Sequence, residues 1–390
     1  MPLPMLKREE LFIRFCCRSK KDSALREEII RISSPGFNWA YFLERAMKEK
    51  VAALIFKDFC EDEEIRELFP EDILTQLRAI YQTVLARNLL HHQTLKKISE
   101  RFNQEGIPFI VLKGLSLAEG VYQDAGLRPT GDLDILVKRM DVLMADRILN
   151  GFDYKKPFHS SDLSRISYSA YRNSLLYYQP QAHPPHIHLF WHIINLYPYD
   201  ENILNKIDIE KIWDDAVEIR IANIALKTFS IYHQIIYLCL HALTHLYRPL
   251  ILLCDIDKLI SLEGEKIDWD ILIQESFNFG LSKAVYHGLY VASQVLGTDI
   301  PAVVLHQLKP TRISLFEQRF TDSFLLAEQP LNETLMHFLF YFGMNDTLAK
   351  KLNFSRRMLF PPQEELSLIR QKDDSRPKLF EYFRRLLQLG

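Results

Sequence analysis

Two aspartates on one short apolar segment have the residue type and spacing best suited to catalysis in this sequence. Asp132 and Asp134 flank a leucine, and the hydrophobic run continues to Val137. Residues i and i+2 of a β-strand point to the same face, about 6–7 Å apart along the strand. Carboxylates at this spacing suit hard cations such as Mg²⁺, which keep part of their coordination shell for substrate phosphates. The pair therefore predicts a metal site on a strand.

A second element that suits phosphate chemistry lies upstream of the aspartates. Residues 107–112 form a short apolar run that is typical of a strand buried on both faces. The run ends at Lys113-Gly114, and residues 115–122 have apolar side chains at helical spacing. A strand–turn–helix junction presents free backbone N–H groups at the start of the helix, where anions bind readily. A phosphate-holding turn beside a carboxylate pair is the minimum requirement for phosphoryl or nucleotidyl transfer.

Neither motif is specific by itself. Most Asp-x-Asp pairs are solvated surface residues, and glycine ends many secondary-structure elements. The two motifs in this order, each next to an apolar strand, form a much less common combination. The combination favours a functional site over a pair of unrelated surface features.

The order of these elements resembles an uncharacterised nucleotidyltransferase family of the DNA polymerase β-type superfamily. The residues that carry the resemblance are Leu112, Lys113, Gly114, Leu117, Tyr122, Arg128, Pro129, Asp132, Leu133, Asp134, Ile135, Leu136 and Val137. It extends over about residues 80–300, with weaker matches outside this stretch. The turn departs from the superfamily pattern, because its second small residue, Ser116, stands one position later than expected.

The resemblance implies a metal-dependent nucleotidyltransferase. Asp132 and Asp134 would bind one or two Mg²⁺ or Mn²⁺ ions that hold the triphosphate of a nucleotide. The residues expected to contact its phosphates are Lys113, Gly114, Ser116 and Arg128. A hydroxyl or another nucleophile of an acceptor would attack the α-phosphate and release pyrophosphate. The expected partners are therefore a nucleoside triphosphate and an unidentified acceptor, which is a small molecule, a peptide or a protein.

A histidine stands where the superfamily usually has a third carboxylate. In the family resembled here, the corresponding strand commonly reads acidic-x-His-Trp, whereas this sequence has His188-Leu189-Phe190-Trp191 at that position. Imidazole binds Mg²⁺ poorly but binds Mn²⁺ or Zn²⁺, and it can act as a general base near neutral pH. Three interpretations stay open: His188 replaces the acid as base or metal ligand, the acid lies elsewhere, or the site binds nucleotide without turnover.

Two functions of other classes remain as alternatives. The histidine at position 188 and the displaced small residue favour a catalytically degenerate protein with a nucleotide-binding or regulatory role. A zinc hydrolase is the third hypothesis, because His186 and His188 share one face of the predicted strand. It is disfavoured because no cysteine or further acid stands at a fixed spacing from them.

A helix near the C-terminal half carries two further histidines. Residues 229–247 have helical periodicity, with His241 and His245 on one face. This is not the His-Glu-x-x-His motif, because position 242 is alanine. If the two histidines have no role in function, we expect them to form a polar stripe that packs against a neighbouring helix. The resemblance implies that four residues face the active-site cleft from this part of the chain: His241, His245, Arg248 and Asp255.

Composition sets limits on partners and location. The 390 residues are 48% hydrophobic and 25% charged, with a formal net charge of −2. The absence of a basic excess disfavours long nucleic acid as a partner. The charged first residues do not resemble a signal peptide, and no apolar run is long enough for a bilayer, so we expect a cytoplasmic protein without a membrane partner. The five cysteines show neither a disulfide framework nor a zinc spacing.

We predict an α+β fold with a small mixed β-sheet core between two helical regions. The predicted divisions are a helical N-terminal region at 1–104, a nucleotidyltransferase-like α/β core at 105–202 and a helical C-terminal domain at 203–390. A long helix from Pro70 to about Asn103 is expected to pack on the core. Residues 166–178 alternate loosely and predict a hairpin or a pair of strands.

Overall fold

The computed structural model describes residues 6–33, 35–60, 63–156, 173–179, 185–194, 204–311 and 347–359, together with residues 313 and 342. Six strands form one mixed sheet in the order β3-β4-β2-β1-β6-β5. The strands are β1 Phe109–Val111, β2 Asp132–Val137, β3 Ser174–Tyr177, β4 His186–Phe190, β5 Val217–Ile221 and β6 Ile224–Thr228. Helices lie before, between and after them, so the predicted α+β class is confirmed.

Among the described residues, the helices before the sheet are α1 Arg8–Cys17, α2 Ser23–Ile32, α3 Trp39–Lys48, α4 Ala52–Cys60, α5 Glu63–Arg66 and α6 Glu71–Gln104. Those seen between strands are α7 Leu115–Gly120, α8 Val142–Gly151 and α9 Ile209–Asp214. After the last strand, the described part of the chain contains α10 Ile231–Thr244, α11 Ile251–Glu263, α12 Trp269–Asn278, α13 Ser282–Leu296, α14 Ala302–Leu308 and α15 Leu348–Leu359. The long helix predicted before the core is confirmed as α6. Among the described helices, none has the length and apolar character needed to cross a membrane.

The register of the central strands brings the predicted catalytic residues side by side. β2 pairs antiparallel with β1 and parallel with β4. In the parallel pair, Asp132 lies opposite His186 and Asp134 lies opposite His188. Because side chains alternate between the faces of a sheet, Asp132, Asp134 and His188 project from one face of two neighbouring strands.

The β5–β6 hairpin was missed by the sequence analysis, which predicted helices after residue 203. Its strands pair antiparallel around Ala222-Asn223, two residues with positive φ of 47° and 65°. This backbone is typical of two-residue hairpin turns. β6 then pairs parallel with β1, with Ile110 opposite Lys227. The sheet therefore takes strands from both sides of residue 202. Of the hairpin predicted at 166–178, β3 is seen, and residues 166–172 lie outside the described residues.

The two faces of the sheet belong to different apolar clusters. Ile110, Leu136 and Phe190 pack into the larger cluster, which also contains buried residues of α1–α4 and α10–α14. The neighbouring residues on these strands, Val111, Ile135 and Leu189, point to the opposite face and pack with α6 and α8 in the smaller cluster. Asp134 lies two residues before Leu136 on β2, so the two side chains point to the same face of the sheet. The aspartate pair therefore projects from the face that the two helical regions cover.

Gly288 lies where two helices of the larger cluster, α13 and α10, approach each other closely. A Cβ at this position of α13 would lie 2.7 Å from the Cβ and Sγ of Cys239 in α10. We expect Gly288→Ala to lower the free energy of unfolding by about 1–3 kcal/mol, because the extra methyl overpacks this contact. Urea denaturation would measure the change. Gly264→Ala is the control, since no atom lies within 4 Å of its added Cβ, and an equal loss in both variants would contradict the packing argument.

Candidate active site

Asp132, Asp134 and His188 form a cluster of three ligand groups. One ligand atom from each lies within 4.8 Å of the others, and this is the cluster of such groups found among the described residues. The Asp134 side chain is fully buried, whereas that of Asp132 is 34% exposed. Nδ1 of His188 lies 3.7 Å from Oδ1 of Asp134. The two neighbouring strands thus converge on a position that could hold a divalent cation.

Asp134 has one oxygen available for such an ion. Its Oδ2 accepts a hydrogen bond from Lys113, but its Oδ1 is buried and has no hydrogen-bond partner among the described residues. Burial raises the pKa of Asp134 to about 6, although Lys113 opposes this shift. A buried acceptor without a donor is costly unless something else satisfies it. The unsatisfied Oδ1 therefore fits the donor set expected of a metal site.

Lys113 provides the nearest positive charge. It directly follows the last residue that extends β1, Leu112, whose N–H donates to the Asp134 carbonyl oxygen at 3.1 Å. Its Nζ lies 2.5 Å from Asp134 Oδ2 and 3.6 Å from Asp132 Oδ1. Burial would lower the pKa of Lys113, but the two carboxylates raise it above its ordinary value. The ammonium group is therefore held charged between them.

His188 is neutral, and a contact on the side of its ring away from the aspartates fixes the ring's orientation. Burial lowers its pKa to about 4, so the imidazole carries no charge near neutral pH. Nε2 lies 2.9 Å from the hydroxyl oxygen of Ser174 on β3, and Nδ1 faces Asp134. Sequence reasoning missed Ser174, because its place beside His188 depends on the β3–β4 register and on no local motif. Ser174 holds the ring so that Nδ1 is directed at the aspartates.

The turn after β1 has a backbone that suits glycine. Gly114 has φ 69° and ψ −107°, a region that L side chains rarely adopt. α7 begins at the next residue. Ser116 in its first turn is buried, and its hydroxyl has no hydrogen-bond partner among the described residues. The structure thus brings the predicted turn next to the aspartate strand, and the phosphate contacts of Gly114 and Ser116 stay a prediction.

Arg128 is held by Asp255 in a buried ion pair. Its Nε and Nη2 donate to the two carboxylate oxygens of Asp255 at 2.8 and 2.7 Å. The Tyr122 hydroxyl donates to the same carboxylate at 2.9 Å. Asp255 has no exposed surface, so the structure places it behind Arg128 and not in an open cleft. Only Nη1 of Arg128 remains outside the pair, where it lies 3.5 Å from the Pro129 carbonyl oxygen.

The predicted cleft residues of α10 form a row of rings. Ring centroids of Tyr237 and His241 are 6.2 Å apart, and those of His241 and His245 are 4.6 Å apart. Burial, then the charge of Lys113, lowers the pKa of His241 well below its ordinary value, so this histidine lies within electrostatic range of Lys113. Arg248 instead lines a small cavity of about 40 Å³ that Arg14 and Glu49 also line.

A network on α6 anchors the loop that leads into β2. The Asn88 amide donates to the carbonyl oxygens of Ala125 and Arg128 at 2.6 and 2.9 Å. The Thr130 hydroxyl donates to the Asn88 amide oxygen and lies 2.7 Å from His91 Nδ1. From sequence, this helix was expected only to pack on the core. The structure shows a buried His91 that fixes the entry to the aspartate strand.

His91 predicts a pH dependence of stability. Burial lowers the pKa of His91 to about 4 in the folded protein, whereas an unfolded chain has about 6.5. The unfolded chain therefore binds a proton that the folded protein rejects, and stability is lost as pH falls from about 6.5 towards 4. We expect His91→Gln to show a smaller loss of unfolding free energy than wild type between pH 7 and pH 4.5. Urea denaturation at both pH values measures it, and parallel pH profiles would contradict the expectation.

A family model described as "Uncharacterised nucleotidyltransferase" matches residues 35–297. No curated protein and no solved structure matches the chain. The matched range contains helices α3 to α13, all six strands and the Asp132–Asp134–His188 cluster. The match begins at residue 35, whereas the resemblance in the sequence began at about residue 80, so the family also includes the helices α3 to α5. Because the match spans more than half of the 390 residues, the chain belongs to this nucleotidyltransferase family.

Proposed function

We propose that the protein transfers a nucleoside monophosphate from a nucleoside triphosphate to an acceptor and releases pyrophosphate. The observation that carries this proposal is the convergence of Asp132, Asp134 and His188 within 4.8 Å. The membership of the chain in a nucleotidyltransferase family supports the same reaction class. The acceptor is a small molecule, a peptide or a protein that offers a hydroxyl or another nucleophile.

The donor set fits a divalent cation. Two carboxylates and a neutral imidazole suit Mn²⁺ better than Mg²⁺, because Mg²⁺ strongly prefers oxygen ligands. Asp132, Asp134 and His188 would hold the ion, and the unsatisfied Oδ1 of Asp134 offers it a ligand atom. A divalent ion bound there would stabilise the charge on the triphosphate.

The remaining residues bind the nucleotide. Lys113, with the turn at Gly114 and Ser116, binds the β- and γ-phosphates. Arg128 contacts phosphate through Nη1, the guanidinium nitrogen that Asp255 leaves unpaired. His188 takes the place of the missing carboxylate as a ligand of the ion, and the proton of the attacking hydroxyl passes to solvent.

Calorimetric titration with a nucleoside triphosphate tests the site directly. We expect binding that requires Mg²⁺ or Mn²⁺ in wild type and is weakened at least about 100-fold in Asp132→Asn/Asp134→Asn, which removes the charge of two of the three proposed ligands. Asp72→Asn, an exposed aspartate in the first turn of α6, is the control for a lost carboxylate. Wild type that binds no nucleotide with either metal would refute the proposed function.

A second candidate function is nucleotide binding without transfer. It is favoured by His188, which stands where the superfamily has an acid, and by the displaced Ser116. Label transfer from an α-phosphate-labelled nucleotide distinguishes the two candidates. Wild type that transfers label, together with His188→Glu that does not, would exclude the degenerate function. Nucleotide binding in wild type without transfer to any tested acceptor, and transfer gained in His188→Glu, would support it.

A further inference from the structure

We propose that Lys113 occupies the cation position between the two aspartates in the nucleotide-free protein, so that the divalent ion enters only when a triphosphate draws the lysine away. The inference rests on the proposed function, because the ion and the triphosphate are the ligands of that reaction. It adds an order of binding to the site. The free protein would bind metal weakly, and nucleotide and metal would enter together.

The ammonium group and the ion would bind the same two carboxylates, with Lys113 on Oδ2 of Asp134 and the ion on the unsatisfied Oδ1. Nζ of Lys113 lies 2.5 Å from Asp134 Oδ2 and 3.6 Å from Asp132 Oδ1. A lysine ammonium donates hydrogen bonds and offers no lone pair, so it cannot become a ligand of the metal. An ion bound by both carboxylates would therefore lie next to a like charge in a site where water screens little, because Asp134 is fully buried.

The local charges also favour one cation at a time. Asp132 and Asp134 carry two negative charges, and Lys113 cancels one of them. The charge of Arg128 is already matched by Asp255, so this pair leaves the balance unchanged. A divalent ion added beside the bound lysine would give a buried excess of positive charge. The same ion added with a triphosphate would bring more negative charge than positive.

A triphosphate offers Lys113 a new partner close to its present position. The lysine immediately precedes the glycine turn, and its four-carbon side chain is flexible. Its side chain is only 10% exposed, and among the described residues it contacts the two aspartates. Phosphate oxygens at the turn would replace the carboxylates as acceptors for the ammonium group. Movement of this one side chain would then remove the competing positive charge and release Oδ2 of Asp134 and Oδ1 of Asp132.

Titration of the metal-free, full-length protein with Mn²⁺ alone tests this order of binding. Electron paramagnetic resonance of unbound Mn²⁺ gives the affinity without any nucleotide or turnover. We expect wild type to bind Mn²⁺ no more tightly than about 1 mM, and Lys113→Gln to bind it at least about tenfold more tightly. Lys113→Arg keeps the positive charge and should behave as wild type. Lys96→Gln removes the charge of an exposed lysine on α6 and controls for the change in net charge.

Adding Asp132→Asn to Lys113→Gln should remove the gained Mn²⁺ affinity, which places the ion on the carboxylates. Wild type that binds Mn²⁺ alone with micromolar affinity overturns the proposal, and this outcome requires no variant to fold. Lys113→Gln that folds and binds Mn²⁺ no better than wild type also overturns it. Neither result affects the proposed function if wild type still binds metal–nucleotide. A wild-type protein that binds no nucleotide with either metal would instead refute the proposed function.

Discussion

Asp132→Asn is expected to reduce nucleotidyl transfer by at least about 100-fold and to leave the protein folded. A metal ion contributes several kcal/mol of charge stabilisation in the transition state, and each 1.4 kcal/mol is about a factor of ten in rate. Asp132 is the partly exposed member of the pair and lies 3.6 Å from Lys113. Loss of such a contact costs about 1 kcal/mol or less, so the effect on stability should be small.

Pyrophosphate release in the presence of a panel of hydroxyl-bearing acceptors measures the transfer rate, and urea denaturation measures stability. Asp72→Asn, the exposed aspartate of α6, should retain wild-type values in both measurements. Asp134→Asn should also lose transfer, but at a greater cost in stability, because its oxygen accepts the hydrogen bond of buried Lys113. Unchanged turnover in Asp132→Asn would place the chemistry elsewhere in the molecule.

Asp255→Ala is expected to lower the free energy of unfolding by about 3–5 kcal/mol, since it leaves the charge of Arg128 buried without a partner. The pair is bidentate, at 2.8 and 2.7 Å, and Asp255 also accepts from Tyr122. It links the loop before β2 to α11, so its loss should also loosen the entry to the aspartate strand. Urea denaturation at pH 7 measures the effect.

Asp299→Ala provides a matched control for the loss of an ion pair. Lys20 and Asp299 form an ion pair with side chains 67% and 73% exposed, and such pairs contribute about 1 kcal/mol or less. A second comparison removes the whole network, in Tyr122→Phe/Arg128→Met/Asp255→Leu. This triple variant should recover much of the stability lost in Asp255→Ala, because no charge is left buried. Equal losses of unfolding free energy in Asp255→Ala and Asp299→Ala would contradict a stabilising role of the buried Arg128–Asp255 ion pair.

The strand β2, which carries the two aspartates, was predictable because its signals are local. An apolar run predicted β2, and the strand period alone placed Asp132 and Asp134 on one face. The position of His188 came from the family resemblance, and the β2–β4 register puts it opposite Asp134. The turn at Gly114 was also predictable, since a glycine between a strand and a helix suggests an unusual backbone.

The parts that were missed depend on contacts between distant segments. Ser174 acts through strand pairing, and Asn88 through hydrogen bonds to a loop about 40 residues away. The β5–β6 hairpin had a local signal in the alternation of Val217, Ile219 and Ile221, but the surrounding helices outweighed it. Asp255 was predicted at the cleft, whereas its partners show that it acts by holding Arg128. The sequence indicated that Asp255 is important but not that it forms an ion pair with Arg128.

The apolar layer over the aspartate face limits how this domain can be recombined in evolution. Leu136 and Phe190 of the central strands pack in one cluster with helices from both ends of the chain. A gene segment that encodes only the strands would expose this layer, at a cost of about 25 cal/mol for each Å² of apolar surface. Insertions and fusions are therefore expected outside the stretch from Phe12 to Leu308, which contributes the buried residues of this cluster and extends beyond both ends of the family match at 35 and 297. Helices α1 to α4 would accompany the strands because they pack in the same cluster.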